Sequence, residues 1–195
     1  MQHPARSSYP YPPQSVITLD DGDDAHAALV LAAAAGDPAA WSALVQRFAG
    51  LVWATARAYG LSAAQAALAA EATWLRLAQS LGQMQEPERV GVWLAATARQ
   101  ESLRVLRLNH RGGLVVNGLA DEFDAGLWQA FERLPADSRR LLRVAAASPP
   151  PTAAQMSAAL AMPIADIASA RGDGLDRLRQ QLQPAALSTP GGHCE

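Results

Sequence analysis

The chain has 195 residues, half of them hydrophobic and only 6% aromatic, with a net charge of −2 and a pI near 6.1. That is apolar material for one large domain or two small ones, and length alone does not choose between them. The charge balance excludes a whole-protein basic field of the kind that announces nucleic acid, and no apolar run approaches the ~20 residues that span a membrane.

All 16 basic residues are arginine. The planar guanidinium suits phosphates and guanine edges, although a bias to Arg, Ala, Gly and Pro is also what a GC-rich genome produces. The single cysteine, Cys194, has no internal partner, which fits a reducing compartment. The opening MQHPARSSYPYPP is too polar and proline-rich for a secretory signal. The expectation is a soluble, cytoplasmic protein without membrane contact. Alanine-rich helices that pack closely are expected, and sheet is not, because β-branched and aromatic residues never alternate over a long run.

Residues 1–24 read as a disordered tail, Pro-, Ser- and Tyr-rich and then acidic. Helical pattern begins near Asp24. Gly36 stops that helix, Asp37 can cap the next, and Pro38 fits its first position. The second helix carries Trp41, Leu44, Val45, Phe48, Val52 and Trp53 as one inward stripe. Gly60 ends it, and Ser62 can cap a third helix running to Leu81 and bearing Leu68, Trp74, Leu75 and Leu77. Pro87 opens a fourth that begins as a buried helix and ends studded with Arg99, Arg104, Arg107 and Arg111, opposed only by Glu101.

The glycine- and acid-rich segment 113–126 has no sustained period and reads as a linker. LWQAFERL is a short amphipathic helix, and Pro135 starts another through Ala147. After SPPP, Thr152 can cap TAAQMSAAL, and a three-residue turn leads to a last helix from Ile164 to about Leu182. Residues 184–195 read as a second disordered tail. The architecture expected is all-α: two small helical bundles, at 25–112 and 127–183, joined by the linker.

The final pair has the cadence of a helix-turn-helix. Ala153, Met156 and Leu160 face inward on its first helix. Ile164 and Ile167 face inward on its second, while Asp166, Ser169 and Arg171 face out. In such a motif the second helix reads the major groove. Ala161 stands where glycine is usual, and Asp166 and Asp173 repel phosphates, as suits an ordinary helical hairpin.

GDPAAWSALVQRF, ATWLRL, EPERVGVWLAATARQESLRVLR, LPADSRRLLRVAA and the terminal helix pair, in that order, resemble an extracytoplasmic-function (group 4) sigma factor. The likeness runs from about Asp24 to Leu182. It implies two domains: region 2, which binds the β′ clamp of core RNA polymerase and melts the −10 element, and region 4, which binds the β flap and the −35 element. Carried onto this sequence, it places Trp93, Arg99, Gln100, Arg104, Arg107 and Arg111 at the −10 DNA. Ile164, Asp166, Ser169 and Arg171 fall at the −35 element, and Leu68, Glu71, Trp74 and Leu75 against core polymerase. The protein would bind core polymerase and promoter DNA without chemistry or cofactor of its own, with an anti-sigma factor as a further partner.

Arg104, Arg107 and Arg111, at spacings of three and four, return to one helix face at about 100° per residue, where they can neutralise phosphates, and Arg99 lies within about 120° of that face. A solvated helix face is the plainer role for them, and a core anchor is the plainer one for Trp93.

Several positions depart from the family pattern. Leu68 replaces an acidic residue, Glu71 a glutamine and Gln100 an asparagine, and the recognition helix continues as GDGLDRL. These departures favour an alternative: a degenerate sigma-like regulator acting through protein contacts, such as with an anti-sigma factor. A third reading, an alanine-rich helical adaptor, takes the motifs as coincidence. His3, His26, His110 and His193 are scattered, and no phosphate loop or metal-ligand spacing occurs, so neither catalysis nor a metal site is expected.

Overall fold

The computed structural model describes residues 23–110 and 125–182. All regular structure among them is helical: α1 (Asp23–Ala34), α2 (Pro38–Ala58), α3 (Ala63–Ser80), α4 (Val90–His110), α5 (Ala125–Glu132), α6 (Ala136–Ala145), α7 (Ala153–Leu160) and α8 (Ile164–Leu182). Short 3-10 turns at Leu81–Gln83 and Pro87–Arg89 join α3 to α4. Residues 1–22 of the first expected tail, the second tail, residues 113–124 of the expected linker and Arg111 lie outside the described residues, while Asp23 and Asp24 open α1 and Ala125 and Gly126 open α5, so both helices start earlier than the sequence pattern suggests.

Local chemistry sets the helix ends. Gly36 and Gly60 adopt φ of 91° and 77°, the left-handed region that glycine enters without a Cβ penalty. The Asp37 carboxylate accepts from the Ala39 N–H at 2.8 Å, with Pro38 in the first turn. Ser62 and Thr152 each form a reciprocal capping box with a glutamine three residues on. Ala161 ends α7 in the left-handed conformation (φ 55°), and the Ser157 hydroxyl donates to the Met162 carbonyl at 2.6 Å across the turn into α8.

The core is built from thin stripes. Leu44, Phe48, Leu51 and Val52 of α2 are buried, as are Leu77 of α3 and Val90, Leu94, Ala95 and Ala98 of α4. A second, alanine-lined cluster of Ala56, Leu61, Ala66 and Ala69 fills the space towards Val105 and Leu106. The main cluster does not stop at the linker: Leu141, Val144, Met156, Ala159 and Ile167 belong to it too. The helices after the linker therefore pack directly on those before it, α7 on α4 and α6 on α2.

Three expected inward residues lie outside. Trp53 is 42% exposed, because nine residues after Leu44 it has turned about 180° from the buried stripe. Ala153 and Ile164 are exposed at the first positions of α7 and α8, where the side chain overhangs the end of the core; Met156 and Ile167, one turn on, are buried.

Candidate nucleic-acid interface

The site starts from the phase of α4. Leu94, Ala95 and Ala98 point into the core, which turns Trp93, Gln100, Arg104 and Arg107 to the opposite side. Gln100, Arg104 and Arg107 are exposed and lie within about 60° of one another around the axis. Trp93, in line with Gln100, is half-buried: its ring packs on the core and also lines a groove between α3 and α4. That groove is about 570 Å³, with Trp93, Thr97, Gln100 and Arg104 on one wall and Leu75, Arg76 and Gln79 on the other.

Glu101 fixes the rim of the groove. Seven residues after Leu94, it occupies the buried face and is only 3% exposed. Its carboxylate meets the Arg76 Nε at 2.6 Å and the Arg104 Nη1 at 3.6 Å. A buried carboxylate so paired holds two half-solvated guanidiniums at one edge, with their outer N–H groups turned to solvent.

Arg99 does not join this ridge. It sits about 40° from the fully buried Ala95, half-buried on the side facing α7. Its Nε is buried with no hydrogen-bond partner among the described residues. The neighbouring Tyr59 donates its hydroxyl to the Ala159 carbonyl at 2.9 Å, and burial pushes its phenol above the ordinary value, opposed by Arg99 and Arg140.

On α3, Leu68, Glu71 and Leu75 form an exposed strip along one face; both leucines are 59% exposed. Trp74 is turned away from it and meets Trp41 edge-on at 6.4 Å. On α8, Asp166, Ser169 and Arg171 face solvent, and the Ser169 hydroxyl donates to its own helix at the Asp166 carbonyl, 3.1 Å away. Ile167 and Gly174 are buried, the latter against Leu142.

No family model and no curated protein matches this chain. A solved structure does: CnrH, an extracytoplasmic-function sigma factor, in complex with the cytosolic domain of CnrY. The TM-score is 0.58 at 19% identity, covering 80% of this chain and 96% of that one. The fold is sigma-factor-like. Among the described residues no helix is long and apolar enough to cross a membrane, and no cluster of His, Cys, Asp or Glu could hold a metal.

The structure thus brings together Trp93, Gln100 and Arg104 at one groove, with Arg107 on the same face, and separates Arg99 from them. Sequence reasoning missed Arg76. The signal was present: a carboxylate in register with Leu94 must find a cation, and Arg76 is the only basic residue of α3.

Proposed function

We propose that this chain is a sigma factor of the extracytoplasmic-function type, which binds core RNA polymerase and directs it to promoters. The observation that carries the reading is the Arg104–Arg107 ridge beside the Trp93 groove, on the outward face of a sigma-like fold. The guanidiniums hold phosphates of the −10 element, with Arg111 continuing their spacing. The groove offers a ring face and amide groups to an unstacked base. The Leu68–Glu71–Leu75 strip meets the β′ clamp, with Trp74 behind it as support. The exposed face of α8, with Asp166, Ser169 and Arg171, faces the −35 element, and Ile164 lies at the leading end of that helix.

A second reading has a specific observation behind it. Leu68 gives the α3 strip an apolar character, and Asp166 and Asp173 put negative charge on the outer face of α8. Both suit a sigma-like regulator that acts through protein contacts, and CnrH itself was solved bound to another protein.

Gel filtration with core polymerase followed by run-off transcription separates the two. Initiation from a selected promoter establishes the sigma factor; a stable complex that never initiates, or binding to an anti-sigma partner alone, establishes the regulator. Replacing Arg104, Arg107 and Arg111 with alanine is expected to flatten the salt dependence of promoter binding by ~0.7–0.9 per lost phosphate contact. An unchanged slope sinks the ridge as a DNA surface.

A further inference from the structure

Glu101 and Arg76 both leave their helices on the core-facing side. Glu101 lies seven residues after Leu94 on α4, and Arg76 seven after the fully buried Ala69 on α3, each within about 20° of that residue around the axis. The short carboxylate stays inside, whereas the long Arg76 stem carries its head out to the groove wall, where the side chain is 48% exposed. Only the inner edge of that guanidinium is used. Its Nε meets the carboxylate at 2.6 Å, and neither Nη group has a hydrogen-bond partner among the described residues. Arg104, on the opposite wall, turns Nη1 to the other oxygen of the same carboxylate at 3.6 Å. One buried acid thus ties together cations from both walls.

Charge compensation alone does not call for this arrangement. One guanidinium neutralises one carboxylate, and here two surround it, leaving a positive charge in excess at the rim. The outward N–H groups of both heads are donors of the kind that grip phosphate oxygens. No carboxylate lines the groove between them; Gln79, Gln100 and Thr97 supply its remaining polar groups.

We propose that Arg76 is a phosphate-binding residue of the groove and that Glu101 is the residue that positions it, holding the Arg76 and Arg104 heads towards the backbone of a strand lying between the walls. This role rests on the function proposed above. It reverses the sign expected of an acid beside nucleic acid: by charge alone Glu101 would weaken binding, and as a positioning group it strengthens it.

The test uses the full chain bound to core polymerase and titrated with a fork-junction DNA, well below the melting temperature of each variant. Glu101→Gln raises the net charge from −2 to −1, yet it should bind severalfold more weakly than the wild type. Equal or tighter binding overturns the positioning role. Arg76→Gln should weaken binding severalfold and flatten the salt slope by ~0.7–0.9, the share of one phosphate contact. An unchanged slope overturns Arg76 as a phosphate ligand.

In the Arg76→Gln background, Glu101→Gln should lose most of its effect, because the head it positions is gone. An equal loss in both backgrounds marks Glu101 as merely structural and refutes the proposal. Should Arg76→Gln lose helix content, the sign of the Glu101→Gln effect decides alone. A flattened slope in the Arg104, Arg107 and Arg111 alanine variant beside an unchanged one in Arg76→Gln overturns this inference and leaves the proposed function standing. A wild-type complex that binds no DNA overturns both.

Discussion

Replacing Glu101 with glutamine removes one negative charge from between α3 and α4 at nearly constant volume. The carboxylate is 3% exposed and meets Arg76 at 2.6 Å and Arg104 at 3.6 Å. A charge-assisted hydrogen bond in a buried setting contributes about 1.5–3 kcal/mol. Here the Arg76 side chain is 48% exposed and that of Arg104 is 61% exposed, so solvent already screens the outer side of both partners. The expected loss is therefore at the low end, about 1–2 kcal/mol in total, with Arg76 the main partner. In a chain of this size that lowers Tm by about 2–8 °C, measurable by calorimetry or circular dichroism. Arg104→Ala should cost less than about 1 kcal/mol, because its contact is long and exposed. Arg76→Ala should cost at least as much as Glu101→Gln, since it leaves a buried carboxylate without its close partner. A double-mutant cycle over Arg76 and Glu101 isolates the pair. An unshifted Tm for Glu101→Gln, or a zero coupling energy, refutes the view that this carboxylate anchors the groove rim.

Ala161→Gly should stabilise the protein by about 0.5–1 kcal/mol, read from urea denaturation: relief of a left-handed L-residue outweighs the entropy that glycine adds to the unfolded chain. Tyr59 gives a pH dependence. Burial raises its folded-state pKa above the ordinary 10.0, so the unfolded chain loses this proton first and stability is full below about pH 10. Above that pH it falls until the folded-state phenol also ionises, and Tyr59→Phe should show a flatter alkaline limb in the same titration.

Helix ends were legible because caps obey rules spanning three or four residues. Asp37, Ser62 and Thr152 all cap as their positions in the sequence require, and Gly36 and Gly60 take the backbone they were expected to take. Residues whose surroundings come from another helix were not. Arg99 belongs to the same run of arginines as the exposed ones, but its neighbours are set by α7 and Tyr59, forty or more positions away in the chain. Trp53, Ala153 and Ile164 lie outside for a simpler reason: angular phase in α2, and position at the helix ends of α7 and α8, override hydrophobicity. The packing of α6–α8 onto α2 and α4 had no local signature, because glycines at 50 and 91 acquire meaning only once Ser148 and Gln155 stand opposite them.

The alanines behind the arginine ridge limit how this protein can diverge. Ala66, Ala69, Ala95 and Ala98 are completely enclosed, so a single added methyl group there has nowhere to go without moving a helix. Substitution is therefore channelled to Gln100, Arg107 and Leu108 on the outer side of α4, where the side chains are exposed.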